Sequence, residues 1–268
     1  MTDGPKAKDS SLARTQHARH VTIAELVLRR GSMSVEELSE LTGVSTMTVY
    51  RDVHALEEAG LLQRDHGRVT AVASGMHEAS ASFRMMQNQD VKTILGRAAA
   101  QRIGSGASLM LDDSTSGVYV LRAVPDTVSI TVITNSLLVA RETNLRQNMR
   151  LFMTGGEYQG WADALMGPTT LDNLARLDAD FCVLSSSGIE SGRCFHPQQD
   201  VGAVKKAMMA SSRYRILLLD HAKLQRRALH AFASISDFDL VVVDEETTEA
   251  DRERLLGWGA NLEVARAD

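Results

Sequence analysis

A chain of 268 residues with 44% apolar content has material for one large hydrophobic core or two ordinary ones. Its longest apolar runs, such as residues 216–219, are far too short to cross a membrane, and the polar N-terminus carries no apolar signal segment, so a cytoplasmic location is expected. The net charge of −5 does not advertise a nucleic-acid partner, and two cysteines, Cys182 and Cys194, are expected as buried, inert thiols.

Residues 1–16 are polar and are expected to form a disordered tail. A first helix is predicted from about residue 15 to residue 30, with Ile23, Leu26 and Val27 on its inner face and Gly31 as its stop. Ser34 and Glu37 have the spacing of a capping box at the start of a second helix, whose apolar stripe is Val35, Leu38 and Leu41. Thr42, Gly43 and Val44 make a tight turn, and Ser45 caps a third helix ending near Gly60. Two short helices joined by a glycine turn are the helix-turn-helix pattern.

At 100° per residue, Val49, Val53 and Leu56 cluster on one side of the third helix and must face a core. Met47, Arg51 and His54 then project oppositely, with Tyr50 on the flank. Ser45, Thr46 and Thr48 surround the helix N-terminus, where backbone N–H groups favour a phosphate. A solvated helix is normally covered by Lys and Glu; a recognition helix for the DNA major groove carries polar side chains that reach base edges. Residues 17–73 hold six Arg, no Lys and eight Asp or Glu, a net of −2 that disfavours DNA. The placement is better than the sum, because Glu36, Glu37 and Glu40 fall on the second helix while Arg51, Arg64 and Arg68 surround the third.

After Gly60, residues 61–72 alternate about Gly67 and suit a two-stranded wing, whose tip offers Arg64, His66 and Arg68 to backbone phosphate. Residues 31–67 resemble the N-terminal winged helix-turn-helix of DeoR-type bacterial transcriptional regulators. Ser45, Thr48, Val49, Arg51, Asp52, Val53, Leu56, Glu57, Arg64, His66 and Gly67 match that family's signature. Tyr50 stands where the family has the first of two arginines, and Arg68 where it has the second glycine of the wing. The resemblance implies double-stranded operator DNA as a partner, but both departures lie where DNA would be touched.

Residues 74–90 are polar and poorly periodic and are expected as a linker between a 17–73 DNA-binding domain and a 91–268 domain. From Val91 onward, six short apolar segments alternate with amphipathic ones, such as 91–103 and 200–212. This predicts an α/β domain with a mostly parallel sheet and helices on both faces, following an α+β winged helix-turn-helix. Polar residues gather where each strand ends, and ligands of open α/β sheets bind there. Asp112, Ser114, Thr115 and Ser116 follow the first strand, and Thr134, Asn135 and Ser136 the second. Gly155 and Gly156 follow the third, residues 185–188 the fourth and residues 220–223 the fifth. Hydroxyls, small residues and a lysine suit a phosphorylated small ligand, although helix caps and turns would look similar.

The resemblance continues here: Arg84, Asn88 and Lys92, the 111–116 loop, and the segments at 132–136, 154–156, 180–192 and 220–223 follow the DeoR-type effector domain in order. That domain is similar to sugar-phosphate isomerases and is understood to sense phosphorylated metabolites. By resemblance, Asp112, Ser114, Thr115, Ser116, Thr134, Asn135, Gly155, Gly156 and Lys223 line an effector site, and Lys205 matches a further motif lysine. Ser114 replaces a glycine, and Val201, beside Asp200, replaces a usual glutamate.

Three readings follow. The first is a DNA-binding regulator, a homo-oligomer repressing carbohydrate or polyol genes under control of a phosphorylated sugar or polyol. The second is a constitutive DNA-binding regulator with a degenerate sensor, which Ser114 and Val201 keep open. The third is a sugar-phosphate isomerase fused to a DNA-binding module, which needs a carboxylate base that Val201 does not supply. No catalytic residues, cofactor motif or metal-ligand spacing stand out, and the eight histidines are scattered. Trp161 and Trp258 are expected as packing residues, and the last twenty or so residues as a closing helix and edge strand.

Overall fold

A computed structural model describes residues 16, 18–24, 26, 27, 30, 32–65, 67–71 and 78–267. The expected tail, apart from residue 16, together with Gly31 and His66, lies outside the described residues. The chain divides into two compact units, Met1–Met86 and Gln87–Asp268.

In the first unit, helical residues 18–24 precede strand β1 (Ser32–Ser34), helix α1 (Val35–Thr42), helix α2 (Thr46–Glu58), strands β2 (Leu62–Asp65) and β3 (Arg68–Ala71), and helix α3 (Ala81–Met86). The capping box of α1 forms as expected: Glu37 N–H donates to Ser34 Oγ at 3.1 Å and Ser34 N–H donates to Glu37 Oε2 at 2.6 Å. Gly43 closes α1 at φ 68°, a left-handed conformation that glycine adopts without a Cβ penalty. Ile23, Val27, Val35, Leu38, Val49, Val53 and Leu56 are all fully buried together.

Three expectations change. The wing is three-stranded, in the order β1-β3-β2, because Ser32–Ser34 pairs antiparallel with Arg68–Thr70. Leu41, assigned to the apolar stripe of α1, is exposed. Each step of three residues rotates by −60°, so Val35 and Leu38 share a face that Leu41 has already left. The stretch expected as a linker also carries structure: Ala79 and Phe83 pack into the first unit's core, and the next helix begins at Gln89.

The second unit contains helix α4 (Gln89–Ala100), β4 (Ser108–Leu111), α5 (Thr115–Ala123), β5 (Ile130–Thr134), α6 (Leu137–Asn144) and β6 (Met149–Met153). A hairpin of β7 (Glu157–Gln159) and β8 (Ala164–Met166) and helix α7 (Pro168–Leu174) lead to β9 (Ala179–Ser185), β10 (Gly188–Glu190) and β11 (Arg193–His196). Helix α8 (Gln199–Ala210), β12 (Ser212–Leu219), β13 (His230–Ser234), β14 (Leu240–Asp244), α9 (Glu249–Gly257) and β15 (Leu262–Ala265) complete it.

Seven strands form one parallel sheet in the order β15-β14-β12-β9-β4-β5-β6. The six segments predicted as strands all lie in it, and β15 is the expected edge strand. Every residue of β14 is buried, as are the last four of β9 and of β12. Burial on both faces is the environment of parallel strands covered on both sides. The chain runs outward through β4, β5 and β6, then returns to run outward the other way through β9, β12, β14 and β15. The topological switch therefore falls between β4 and β9, and ligands of open α/β sheets bind at the carboxyl ends of the strands at such a point. Short β10, β11 and β13 form a separate antiparallel sheet that the periodicity did not announce. Trp161 and Trp258 pack against the large core. No described helix is long and apolar enough to cross a membrane.

Candidate DNA interface and sensor site

The outer face of α2 is open. Met47 is 76% exposed and Tyr50 40%, and Thr46, Arg51 and His54 are exposed beside them. Ser45 caps the helix by accepting from Thr48 N–H at 3.3 Å, and its hydroxyl meets that of Thr48 at 3.0 Å. Among the described residues, Arg51 makes no hydrogen bond or ion pair, and His54 reaches only Glu58, at 3.7 Å.

The two departures from the family signature are structural partners of the wing. Tyr50 places its ring 5.5 Å from the guanidinium of Arg64, and Arg64 N–H donates to Glu57 Oε1 at 2.6 Å. Arg68 donates to Ser32 Oγ at 2.7 Å and to Ser32 O at 3.0 Å, fastening β3 to β1. Asp52, a signature match with no expected contact, is fully buried on the inner side of α2. Its carboxylate accepts from Arg19 Nη2 at 3.1 Å and from Arg19 Nε, and meets His20 Nε2 at 3.0 Å. Asp52 thus ties α2 to the preceding helical segment, raising the pKa of Arg19 first through that hydrogen bond and holding the exposed face in register.

In the second unit the predicted effector residues other than Lys205 follow the carboxyl ends of their strands, most of them buried. At the switch point, Lys205 of α8 is 2% exposed and forms an ion pair with Asp112, itself fully buried. The other Asp112 oxygen accepts from Ser114 N–H at 2.9 Å, shaping the turn into α5. Ser114 occupies the N-cap of α5 without a side-chain cap bond, and Thr115 and Ser116 are buried in its first turn. Thr134 Oγ1 donates to Leu111 O at 2.7 Å and accepts from Ser136 N–H at 2.9 Å, so it joins the ends of β4 and β5.

Asn135 is fully buried, and its Nδ2 donates to Leu165 O at 2.9 Å. That bond fixes the amide's orientation, and Oδ1 is buried with no hydrogen-bond partner among the described residues. Gly155 and Gly156 both have positive φ, and a Cβ on Gly156 would lie 2.1 Å from Thr170 Oγ1 and 2.6 Å from Met166 O. Half-buried Lys223 lies beyond β12, and its charge is the main factor that, against burial, holds the Asp220 carboxyl below its ordinary range. Asn88 Nδ2 also donates to Asp220.

Val201 is fully buried in the large core, one helical turn from Lys205, whereas Asp200 is exposed. Ser186, in the 185–188 cluster, spends its hydroxyl on Gly188 O at 2.7 Å and Phe195 O at 3.0 Å. Cys182 and Cys194 are free thiols, pushed up to about 12 by burial.

The adjacent Asp220 and His221 come together with the distant Asp244 beyond β12 and β14. Asp220, His221 and Asp244 each offer a ligand atom within 4.8 Å of the others, a grouping that could hold a metal ion. Their hydrogen bonds give a sufficient account of it: His221 N–H donates to Asp244 Oδ2 at 2.8 Å, and His221 Nδ1 meets Asp244 Oδ1 at 2.9 Å. Burial disfavours a charged His221, but Asp244, Asp220 and Glu246 outweigh it and raise its pKa.

Comparison with known proteins agrees with both units. The DeoR-like helix-turn-helix domain matches residues 19–74, and the DeoR C terminal sensor domain matches residues 87–245. The glycerol-3-phosphate regulon repressor of Escherichia coli (strain K12) is 32% identical over 230 residues, covering 85% of this chain and 91% of that protein. The HTH-type transcriptional regulator GlpR of Haloferax volcanii is 31% identical, covering 90% and 94%. The HTH-type transcriptional repressor CsqR of Escherichia coli (strain K12) is 30% identical, covering 90% and 92%. With its DNA-binding and sensor domains in this order, the chain belongs to the DeoR family of transcriptional regulators.

Proposed function

We propose that this regulator is a homo-oligomeric, cytoplasmic repressor of carbohydrate or polyol genes, released from or recruited to its operator by a phosphorylated sugar or polyol. The observation that carries the sensor half is the buried Lys205–Asp112 pair at the switch point, with Ser114 N–H on Asp112 and with Thr115, Ser116 and Thr134 buried where β4 and β5 end. A buried ion pair adds little to stability against an apolar replacement. It is well suited to a ligand that brings both anionic oxygens, for Lys205 and the α5 N-terminus, and hydroxyls, for Asp112 and Asn135 Oδ1. Gly155, Gly156 and Lys223 frame the same edge of the sheet. The similarity to a glycerol-3-phosphate regulon repressor makes glycerol 3-phosphate the first effector to try.

On the DNA side, Thr46, Met47, Arg51 and His54 read bases, with Tyr50 supporting Arg64. Ser45, Thr48, Arg64, His66 and Arg68 contact phosphates. Control is linkage: unequal binding of the effector to two arrangements, with a coupling of about 1–3 kcal/mol, changes operator affinity roughly 5- to 150-fold. An isomerase reading is disfavoured, because the relatives are transcriptional regulators and the buried Asp112 carboxylate at the switch point is engaged by Lys205. No cofactor is needed for this function.

The test is fluorescence anisotropy on DNA from upstream of the chain's own gene, with and without sugar and polyol phosphates. A shift of about tenfold with one phosphate is expected. Specific binding that no phosphate shifts would favour a constitutive regulator, a reading that Ser114 and the buried Val201 support. Absence of specific binding would overturn the proposal.

A further inference from the structure

The seven-stranded sheet ends in two strands of opposite character. At the β15 edge, Leu262, Glu263 and Val264 are half-buried, and Glu263 is paired with Arg102. At the β6 edge no residue is fully buried, Arg150 and Phe152 are exposed, and Leu145 and Tyr158 expose further apolar surface on either side in sequence.

The bonds between β5 and β6 identify the unused backbone groups of that edge. Ile130 N–H donates to Asn148 O at 3.2 Å, and Thr154 N–H donates to Thr134 O at 3.0 Å. Backbone groups of successive strand residues point to alternate sides, so the even positions of β6 face β5. Leu151 and Met153 therefore direct their N–H and C=O groups away from the sheet.

We infer that a second copy of this chain docks on this edge, β6 pairing antiparallel with its own symmetry mate about a two-fold axis at Leu151. The contact is self-complementary, as a two-fold interface must be. Leu151 faces its own copy and exchanges both backbone bonds with it, and Met149 faces Met153. Arg150 and Phe152 share the exposed face of the strand, so each Arg150 guanidinium meets the other copy's Phe152 ring, a cation–π contact made twice. This surface rests on the homo-oligomer in the proposed function and gives it a location.

Sedimentation velocity on the full chain tests it. Phe152→Lys sets a lysine opposite each Arg150 and is expected to halve the mass of the parent assembly with an unchanged circular-dichroism spectrum. Adding Arg150→Glu places a glutamate opposite that lysine and is expected to restore the parent mass. If Phe152→Lys does not fold, Leu151→Pro removes an N–H that β5 does not use and is expected to dissociate the assembly. Folded variants that keep the parent mass, or a double variant that stays dissociated, would overturn the proposal while leaving an oligomer elsewhere intact. A monomeric parent would overturn both surface and oligomer, and the anisotropy titration would still decide the DNA and effector readings.

Discussion

The outer face of α2 and the strand ends of the sensor unit use the same small set of residues in opposite settings. Ser45, Thr46 and Arg51 stand in solvent, whereas Ser114, Thr115, Ser116, Thr134 and Lys205 are each at most about one-twentieth exposed. A duplex is too large to be enclosed, so its contacts must wait on the surface, where water satisfies them at no cost. A small ligand can be enclosed, so its contacts are desolvated beforehand and must be held by one another. Lys205 has Asp112 and Thr134 has Leu111 and Ser136, whereas Asn135 Oδ1 is buried without a hydrogen-bond partner among the described residues.

That contrast can be broken most severely inside. Lys205→Ala leaves the Asp112 charge buried and unpaired, and is expected to cost roughly 3–5 kcal/mol of stability, together with the effector response. Removing both charges, with Lys205→Met and Asp112→Leu, is expected to recover much of the stability but not the response. Denaturant unfolding and effector titration of the two variants separate these effects. Asp52→Ala tests the buried side of α2: losing the shared partner of Arg19 and His20 is expected to cost about 3 kcal/mol and to weaken operator binding indirectly. Unfolding and anisotropy measured on one sample would show both.

On the exposed face, stability should hardly change and DNA binding should. Arg51→Ala is expected to lose about 1–3 kcal/mol of operator affinity and to relax base preference. Arg64→Ala is expected to weaken specific and random DNA alike, lowering the salt slope by about one. An Arg51→Ala protein that binds its operator like the parent would end the recognition-helix assignment. The smallest effect is expected at His221. Its pKa is raised on folding, so its contribution to stability is complete below the ordinary value of 6.5 and fades as pH rises through the higher folded value. His221→Gln should flatten the pH dependence of thermal stability in that window.

Much of this was legible in the chain. Capping boxes and positive-φ glycines are local, so Ser34, Glu37, Gly43 and Ser45 could be placed from neighbours alone. Val49, Val53 and Leu56 declared the buried side of α2, and by subtraction its exposed side. Six of the seven sheet strands announced themselves as short apolar runs, because parallel strands are covered on both faces. The short strands β1, β10, β11 and β13 did not, since none of them is an unbroken apolar run, and β1 and β13 find their pairing partners far away in sequence. Ala79 and Phe83 read as linker for the same reason.

For the site, the sequence by itself determined which residues lie at the ends of strands, because a strand's end is a local break in apolar pattern. It could not show that Asp112 meets Lys205 across ninety-three positions, that Asp52 faces Arg19 and His20, or that Asp220, His221 and Asp244 converge. Nor could it show that Val201 turns into the core while Asp200 turns out. Those pairings were decided by tertiary structure. The strand order brings distant termini to one edge, and the cost of burying a charge then selects the partner it keeps.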